Sequence, residues 1–234
     1  MTIKAAIFDV FGTVVDWRSG VAAVMAEAFA AKDVGHDALA FADAWRGEYQ
    51  PAMERIRSGG RGYVPLDDLH RENLDRALAA RGLDDLFDDA ERARLSRAWE
   101  ALPPWPDSVA GLTAIKALMP IATCSNGSIA LMTALARFGR LPWDCILGAE
   151  IAKSYKPKPV VYHASCEALR LRRDEVLMVA AHNDDLHAAR KAGLRTAFIA
   201  RPNEKGPGRG ETAPASDWDY VAADLRDLSN RLAA

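Results

Sequence analysis

Four short apolar runs limit what this 234-residue chain can become: Ala5-Ala6-Ile7-Phe8, Ile121-Ala122-Thr123-Cys124, Val176-Leu177-Met178-Val179 and Thr196-Ala197-Phe198-Ile199. Each is continuous rather than alternating, the pattern of a strand covered on both faces, as in a parallel sheet. Helical stretches separate them, and strands alternating with helices predict an α/β fold with a doubly wound parallel sheet. Cys145-Ile146-Leu147 reads as a further, shorter strand. Three of the long runs stop at polar clusters: Asp9 to Thr13, Ser125 to Ser128, and His182 to Asp185. Ligands of open α/β sheets collect beyond the carboxyl ends of the strands, so these clusters are expected to share one crevice.

Roughly residues 16–100 have a different character. Phe41, Trp45, Tyr49, Met53 and Ile56 recur at helical spacing with charges between them, and Leu66, Leu69, Leu74, Leu78, Leu95 and Trp99 continue the theme. Three or four helices are expected there, as a cap domain (16–100) inserted into an α/β core domain (1–15 and 101–234). The chain returns through Leu102-Pro103-Pro104-Trp105-Pro106, where prolines forbid helix. An insertion leaving at a strand's carboxyl end is placed to act as a lid. Arg201 to Ser216, rich in Gly, Pro and charge, reads as a mobile surface loop.

Lys and Arg total 30 against 32 Asp and Glu, so there is no basic excess of the kind nucleic acid requires. A small anion remains compatible, because one or two buried cationic side chains bind a carboxylate. Cys124, Cys145 and Cys166 have neither metal-ligand nor redox spacing, which fits reduced thiols and a cytoplasmic protein. No apolar run is long enough to cross a bilayer, and no signal-peptide pattern precedes Asp9.

A carboxylate at the end of a buried strand, such as Asp9, either accepts hydrogen bonds from turn amides or attacks an electrophile as a nucleophile. Ser125-Asn126-Gly127-Ser128, ahead of a helical run from Ala130 to Phe138, supplies N-capping side chains and free amides that favour an anion. Asp184 and Asp185 precede a helix expected over Leu186 to Ala192, which one of them would cap.

Taken in order, Asp9-Val10-Phe11-Gly12-Thr13, Ser125-Asn126-Gly127-Ser128, Lys156-Pro157 and Asp184-Asp185 resemble the haloacid dehalogenase superfamily, more closely its L-2-haloacid dehalogenase (type II) branch, over essentially the whole chain. The resemblance implies a Rossmann-like core with a helical cap. It also implies hydrolysis of short (S)-2-haloacids to (R)-2-hydroxyacids and halide through an aspartyl ester. Asp9 is then the nucleophile, within a catalytic set that includes Thr13, Lys156, Asp185 and Arg46. Lys156 lies beside Asp9 and favours its ionised form, while Lys153 and Lys158 stay on the surface. Asp185 orients the lysine and the hydrolytic water, and Arg46 reaches from the cap toward the leaving halide. Ser125 with its neighbouring amides takes the substrate carboxylate, Asn126 helps hold the halide, and Tyr162, His182 and Asn183 lie on the substrate side. Phe11 occupies the position where phosphatases of this kind carry a second Asp, and lines an apolar pocket instead.

This chain departs from the best-known dehalogenase pattern at Ala180 and His182, where that pattern has serine and asparagine, and at Asp184, where it has tryptophan. His182 thus becomes a candidate hydrogen-bond donor or proton carrier for ester hydrolysis. The resemblance implies no metal or organic cofactor, since Lys156, Arg46 and backbone amides supply positive potential. Its partners are the haloacid, the halide and a second copy in a homodimer. The motifs leave the preferred halogen open, fluoroacetate included. The competing readings are a Mg²⁺-dependent phosphatase of the same superfamily, with Asp9, Asp184 and Asp185 as ligands, and a non-catalytic binding protein on this scaffold.

Overall fold

In the computed structural model, which describes residues 2–234, β1 (Ala5–Phe8), β2 (Ile121–Thr123), β3 (Val176–Ala180), β4 (Arg195–Ile199) and β5 (Tyr220–Ala222) form one sheet in the order β2-β1-β3-β4-β5. Every pairing is parallel. Successive side chains of a strand face opposite ways. Ala6, Phe8, Leu177, Val179, Ala197 and Ile199 therefore join one hydrophobic cluster, while Ile7, Met178, Ala180 and Phe198 join the other. That two-sided burial is why these strands carry unbroken apolar runs.

The chain between β1 and β2 contains α1 (Trp17–Ala30), α2 (Ala38–Gly47), α3 (Tyr49–Arg57), α4 (Leu66–Ala79), α5 (Asp89–Ser96), a 3-10 turn at Arg97–Glu100 and α6 (Ser108–Lys116). The insertion thus holds five α-helices rather than three or four. The stripe from Phe41 to Ile56 is split between α2 and α3, because Pro51 has no N–H to offer Gly47 and its ring would clash with that carbonyl. Both halves still bury their apolar residues, in the same cluster that covers one sheet face. After β2 come α7 (Ile129–Gly139), α8 (Ala149–Ala152), α9 (Pro159–Ala168) and, beyond β3, α10 (Asn183–Lys191); α11 (Leu225–Ala233) follows β5. Among the described residues no helix is long and apolar enough to cross a membrane.

Two expectations are corrected here. Cys145 to Leu147 is not a strand of the ladder and contributes only an isolated bridge from Cys145 to Ala122. The fifth strand is Tyr220–Ala222, a half-exposed edge whose three residues carry too little apolar pattern to stand out. The segment from Arg201 to Ser216 is not simply a surface loop either. Arg201 and Glu204 are buried. The Arg201 guanidinium donates to both Asp107 oxygens at 2.7 and 2.8 Å and to the Thr13 carbonyl at 2.8 Å.

β1 lies between β2 and β3, so the chain leaves it first to one side and later to the other. Such a switch point opens a crevice at the carboxyl end of the strand, where Asp9 stands. Arg201 pins the segment carrying Glu204 to the rim of that crevice. Removing one partner of a buried ion pair strands the other, so Arg201→Met is expected to destabilise the protein by about 3 kcal/mol. For a chain of this size that lowers Tm by roughly 6–12 °C, measurable by circular dichroism; an unchanged Tm would contradict the buried pairing.

Candidate active site

Asp9 follows β1, its N–H donating to the Val179 carbonyl at 3.0 Å, and is 7% exposed. The next turn reverses the chain so that the Thr13 hydroxyl donates to Asp9 Oδ2 at 2.8 Å. Thr13 also accepts from the Ala181 N–H at 2.9 Å, tying the turn after β1 to the end of β3. Gly12 makes that turn at φ +89°, and a Cβ there would lie 2.2 Å from Glu204 Oε1, so only glycine admits both the backbone and the neighbouring carboxylate.

Lys156 arrives from the loop before α9, its N–H held at 2.8 Å by Asn126 Oδ1. Its ammonium donates to Asp9 Oδ1 at 2.9 Å and to Asp185 Oδ2 at 2.5 Å. Burial works against the lysine charge, but Asp185 and Asp9 outweigh it and raise the ammonium above its ordinary range. Burial alone would likewise push Asp9 up. Lys156 and His182 reverse this and hold the carboxyl far below the usual range, fully ionised. Lys153 and Lys158 are exposed, as expected.

α10 begins three residues earlier than expected, at Asn183, with His182 at the N-cap position and no side-chain cap from either aspartate. This start brings His182 over the site. Its Nδ1 is 3.2 Å from Asp9 Oδ2, and its Nε2 is 3.1 Å from each Glu204 oxygen. Glu204 also accepts from Trp17 Nε1 at 3.0 Å. Burial disfavours a charged imidazole, yet the hydrogen bonds to Asp9 and Glu204 lift His182 to about 10. Burial also opposes the Glu204 charge, and His182 lowers its carboxyl in spite of that. Glu204 is the residue that sequence reasoning missed. The only signal for it was an acidic residue inside a polar, Gly/Pro-rich stretch, which ordinarily marks solvent.

The other expected residues fall into two groups. Facing a cavity of about 850 Å³ are Asp9, Phe11, Arg46, Asn126, His182 and Asp185. With Oδ1 taken by Lys156, Asn126 has Nδ2 left to donate. Arg46 comes from α2 and lies 3.9 Å over the Tyr49 ring, with Trp17, Phe11 and Trp99 at 5.3–5.8 Å. No carboxylate pairs with it among the described residues, and its Nη1 is buried without a partner. Ser125, Tyr162 and Asn183 do not line the cavity. Ser125 lies fully buried beneath it and shapes its own turn by accepting from the Gly127 N–H at 3.0 Å. Tyr162 is also fully buried, its hydroxyl donating to Asp185 Oδ1 at 2.5 Å. Asn183 anchors the C-terminal segment through Glu211, Ala215 and Trp218. The resemblance puts these three near the site, but the turn after β2 buries Ser125, and the packing of α9 and α10 turns Tyr162 and Asn183 away from the cavity.

Mg²⁺ requires free carboxylate oxygens. Both Asp9 oxygens are engaged by Lys156, Thr13 and His182, Asp185 by Lys156 and Tyr162, and Asp184 is exposed. The residues present therefore do not fit the metal that a phosphatase of this superfamily implies. They do fit displacement at carbon by an ionised, positively clamped carboxylate in a cavity that also holds an arginine with no carboxylate paired to it.

The model of the haloacid dehalogenase-like hydrolases matches residues 3–193. The chain belongs to that family. The (S)-2-haloacid dehalogenase 1 of Pseudomonas sp. (strain CBS-3) is 33% identical over 205 residues, 86% of this chain and 86% of that protein. The solved structure of a defluorinating L-2-haloacid dehalogenase, Rha0230, superposes with a TM-score of 0.97 at 49% identity, covering 99% of this chain and 96% of the other. The L-2-haloacid dehalogenase of Xanthobacter autotrophicus, solved with chloropropionic acid covalently bound, is 25% identical with a TM-score of 0.82, covering 100% and 99%. Within this haloacid dehalogenase fold, the His182–Glu204 pair is bonded directly to the strand-end aspartate.

His182 has its proton held above the ordinary 6.5, so it contributes stability fully below about pH 6.5 and loses it as pH rises through about 10. Urea unfolding across pH 6 to 11 is expected to show this loss in the wild type and a flatter profile in His182→Gln. Parallel profiles would contradict the pairing.

Proposed function

We propose that this protein hydrolyses short (S)-2-haloalkanoates to (R)-2-hydroxyalkanoates and halide. The carrying observation is Asp9, ionised and clamped by Lys156, at the floor of a cavity whose wall offers Phe11 and the unpaired Arg46. The names of the similar proteins support the same chemistry.

In the first step a carboxylate oxygen of Asp9 attacks C2, forming a C–O bond as the carbon–halogen bond breaks with inversion. The electron pair leaves with the halide toward Arg46 and the Asn126 amide, whose positive potential is in place before the charge develops. Phe11 provides no acid there, and a departing halide needs none. The substrate carboxylate binds at Asn126, which lines the cavity just beyond β2. In the second step water attacks Cγ of the Asp9 ester and gives one proton to His182. The C2 oxygen leaves as the hydroxyl of the product with the other proton, and Asp9 keeps the oxygen from water.

The pairing of His182 times this second step. At rest, both Asp9 and Glu204 hold its proton. Once Asp9 is an ester, one of those anions is gone and the imidazole releases its Nδ1 proton to solvent, the net proton of the reaction, so a base forms only when there is an ester to cleave. Asp185, fixed by Tyr162, keeps Lys156 in place throughout. Residues 16–100 act in this reading as a cap that brings Arg46 to the core and keeps bulk water out. The same reading takes the protein as a cytoplasmic homodimer; the free thiols of Cys124, Cys145 and Cys166 support the compartment.

Halide release from L- and D-2-chloropropionate in EDTA, alongside phosphate release from a phosphomonoester with Mg²⁺, separates the readings. Halide from the L isomer alone is expected, and metal-dependent phosphate release would replace this proposal. Removing a positioned base costs about 10²–10⁴-fold. His182→Ala is therefore expected to give one equivalent of halide in a burst, with the carboxyalkyl ester retained on the Asp9 peptide by mass spectrometry. Undiminished steady-state turnover by that variant would remove His182 from the mechanism.

A further inference from the structure

Behind Arg46, beyond the residues that line the cavity, lies a niche of closely packed side chains whose hydrogen-bonding groups have no partners. Arg46 Nη1, both ring nitrogens of His70 and Trp99 Nε1 are all buried and unbonded. These atoms belong to side chains packed against one another. The His70 and Trp99 rings meet edge to face at 4.2 Å, and the Arg46 guanidinium is 5.8 Å from the Trp99 ring. Phe11, two residues from the nucleophile, is 5.8 Å from the guanidinium, 5.8 Å from Trp99 and 6.3 Å from His70. The arrangement is fixed by Trp45, whose Nε1 donates to the His70 carbonyl at 3.0 Å and so locks α4 against α2 beside Arg46.

Buried donors without acceptors cost stability, and proteins rarely keep several together without a use. Two of these donors are indole and imidazole N–H groups, which could have been replaced by phenyl rings of similar packing value. His70 is 1% exposed, and burial together with the Arg46 charge pushes its imidazole well below its ordinary pKa. The ring is therefore neutral. It has one N–H to donate and no proton to give away. A cation flanked by neutral donors and aromatic edges suits a small monovalent anion.

We propose that His70 donates a hydrogen bond to the halide as it leaves toward Arg46, and that this bond grades the preference among leaving groups. The inference rests on the dehalogenase reading and adds a specificity-determining residue to it. Hydrogen-bond acceptance strengthens as a halide becomes smaller and its charge denser, so the donor matters most for fluoride, less for chloride and least for bromide. A hydrogen bond to a developing charge in a water-poor site is worth about tenfold or more in rate.

The test compares kcat/KM for fluoroacetate, chloroacetate and bromoacetate in the wild type, His70→Phe and His70→Asn. His70→Phe is expected to lose about tenfold or more on the smallest halide the wild type turns over, with progressively smaller losses on larger ones; His70→Asn, which restores an N–H, recovers most of the loss. Equal losses on every leaving group, or none, would overturn the proposal. Chloride titration followed by tryptophan fluorescence reads the niche without turnover, since Trp17, Trp45 and Trp99 surround it. Saturable chloride binding that weakens in His70→Phe supports the assignment, whereas equal or absent binding overturns it. Absence of halide release from all three acids in the wild type is the failure of the dehalogenase reading itself, and the titration then decides the niche separately.

Discussion

Lys156 keeps an ammonium group almost out of water, 2.9 Å from Asp9 and 2.5 Å from Asp185, and the site is organised around sustaining that charge. A buried ion pair is weak as a source of stability because desolvation offsets most of its attraction, but one partner left alone is very costly. The surrounding structure therefore engages the remaining carboxylate oxygens and the groups behind them: Thr13 and His182 on Asp9, Tyr162 on Asp185, Glu204 and Trp17 beyond His182. Asp9 is left ionised with its orientation fixed. In its proposed role as nucleophile, a carboxylate prepared in this way needs neither a base to activate it nor time to reorganise.

The sheet topology is what makes such a network possible. β1 stands between β2 and β3, so three strand ends deliver Asp9, Asn126 and His182 to one place. The insertion after β1 then has only to supply the cationic and aromatic wall, which it does with α2, α3 and the turn bearing Trp99. The carboxylate network on the core and the cationic, aromatic wall on the insertion thus meet at Phe11.

What the sequence made legible follows from how local each determinant is. Asp9, Phe11 and Thr13 follow the end of an apolar run that locates β1 well, while Lys156 and Asp185 were legible only through the resemblance of their motifs to the dehalogenases. Arg46 was legible because it borders an aromatic stripe in the part of the insertion where the dehalogenases, by resemblance, carry an arginine. Glu204 was not, because nothing near it in sequence buries it: the Arg201–Asp107 pair and the open side of Gly12 do so from distant parts of the chain. Tyr162 and Asn183 were placed near the site but turned the wrong way, since the direction of a helix-face side chain depends on how that helix packs. Cys145 to Leu147 lies along the open edge of β2 but makes only an isolated bridge to it, whereas Tyr220–Ala222 pairs with β4 over three residues.

The central claim is that Asp9 is consumed and regenerated in every cycle. Single-turnover reaction in H₂¹⁸O, with enzyme in excess over an L-2-haloacid, tests it most directly by mass spectrometry of the product and of the peptide containing Asp9. The account predicts that the first equivalent of hydroxyacid carries an unlabelled oxygen taken from Asp9, while the Asp9 peptide gains one ¹⁸O. Label appearing directly in the product, with none in Asp9, would contradict it.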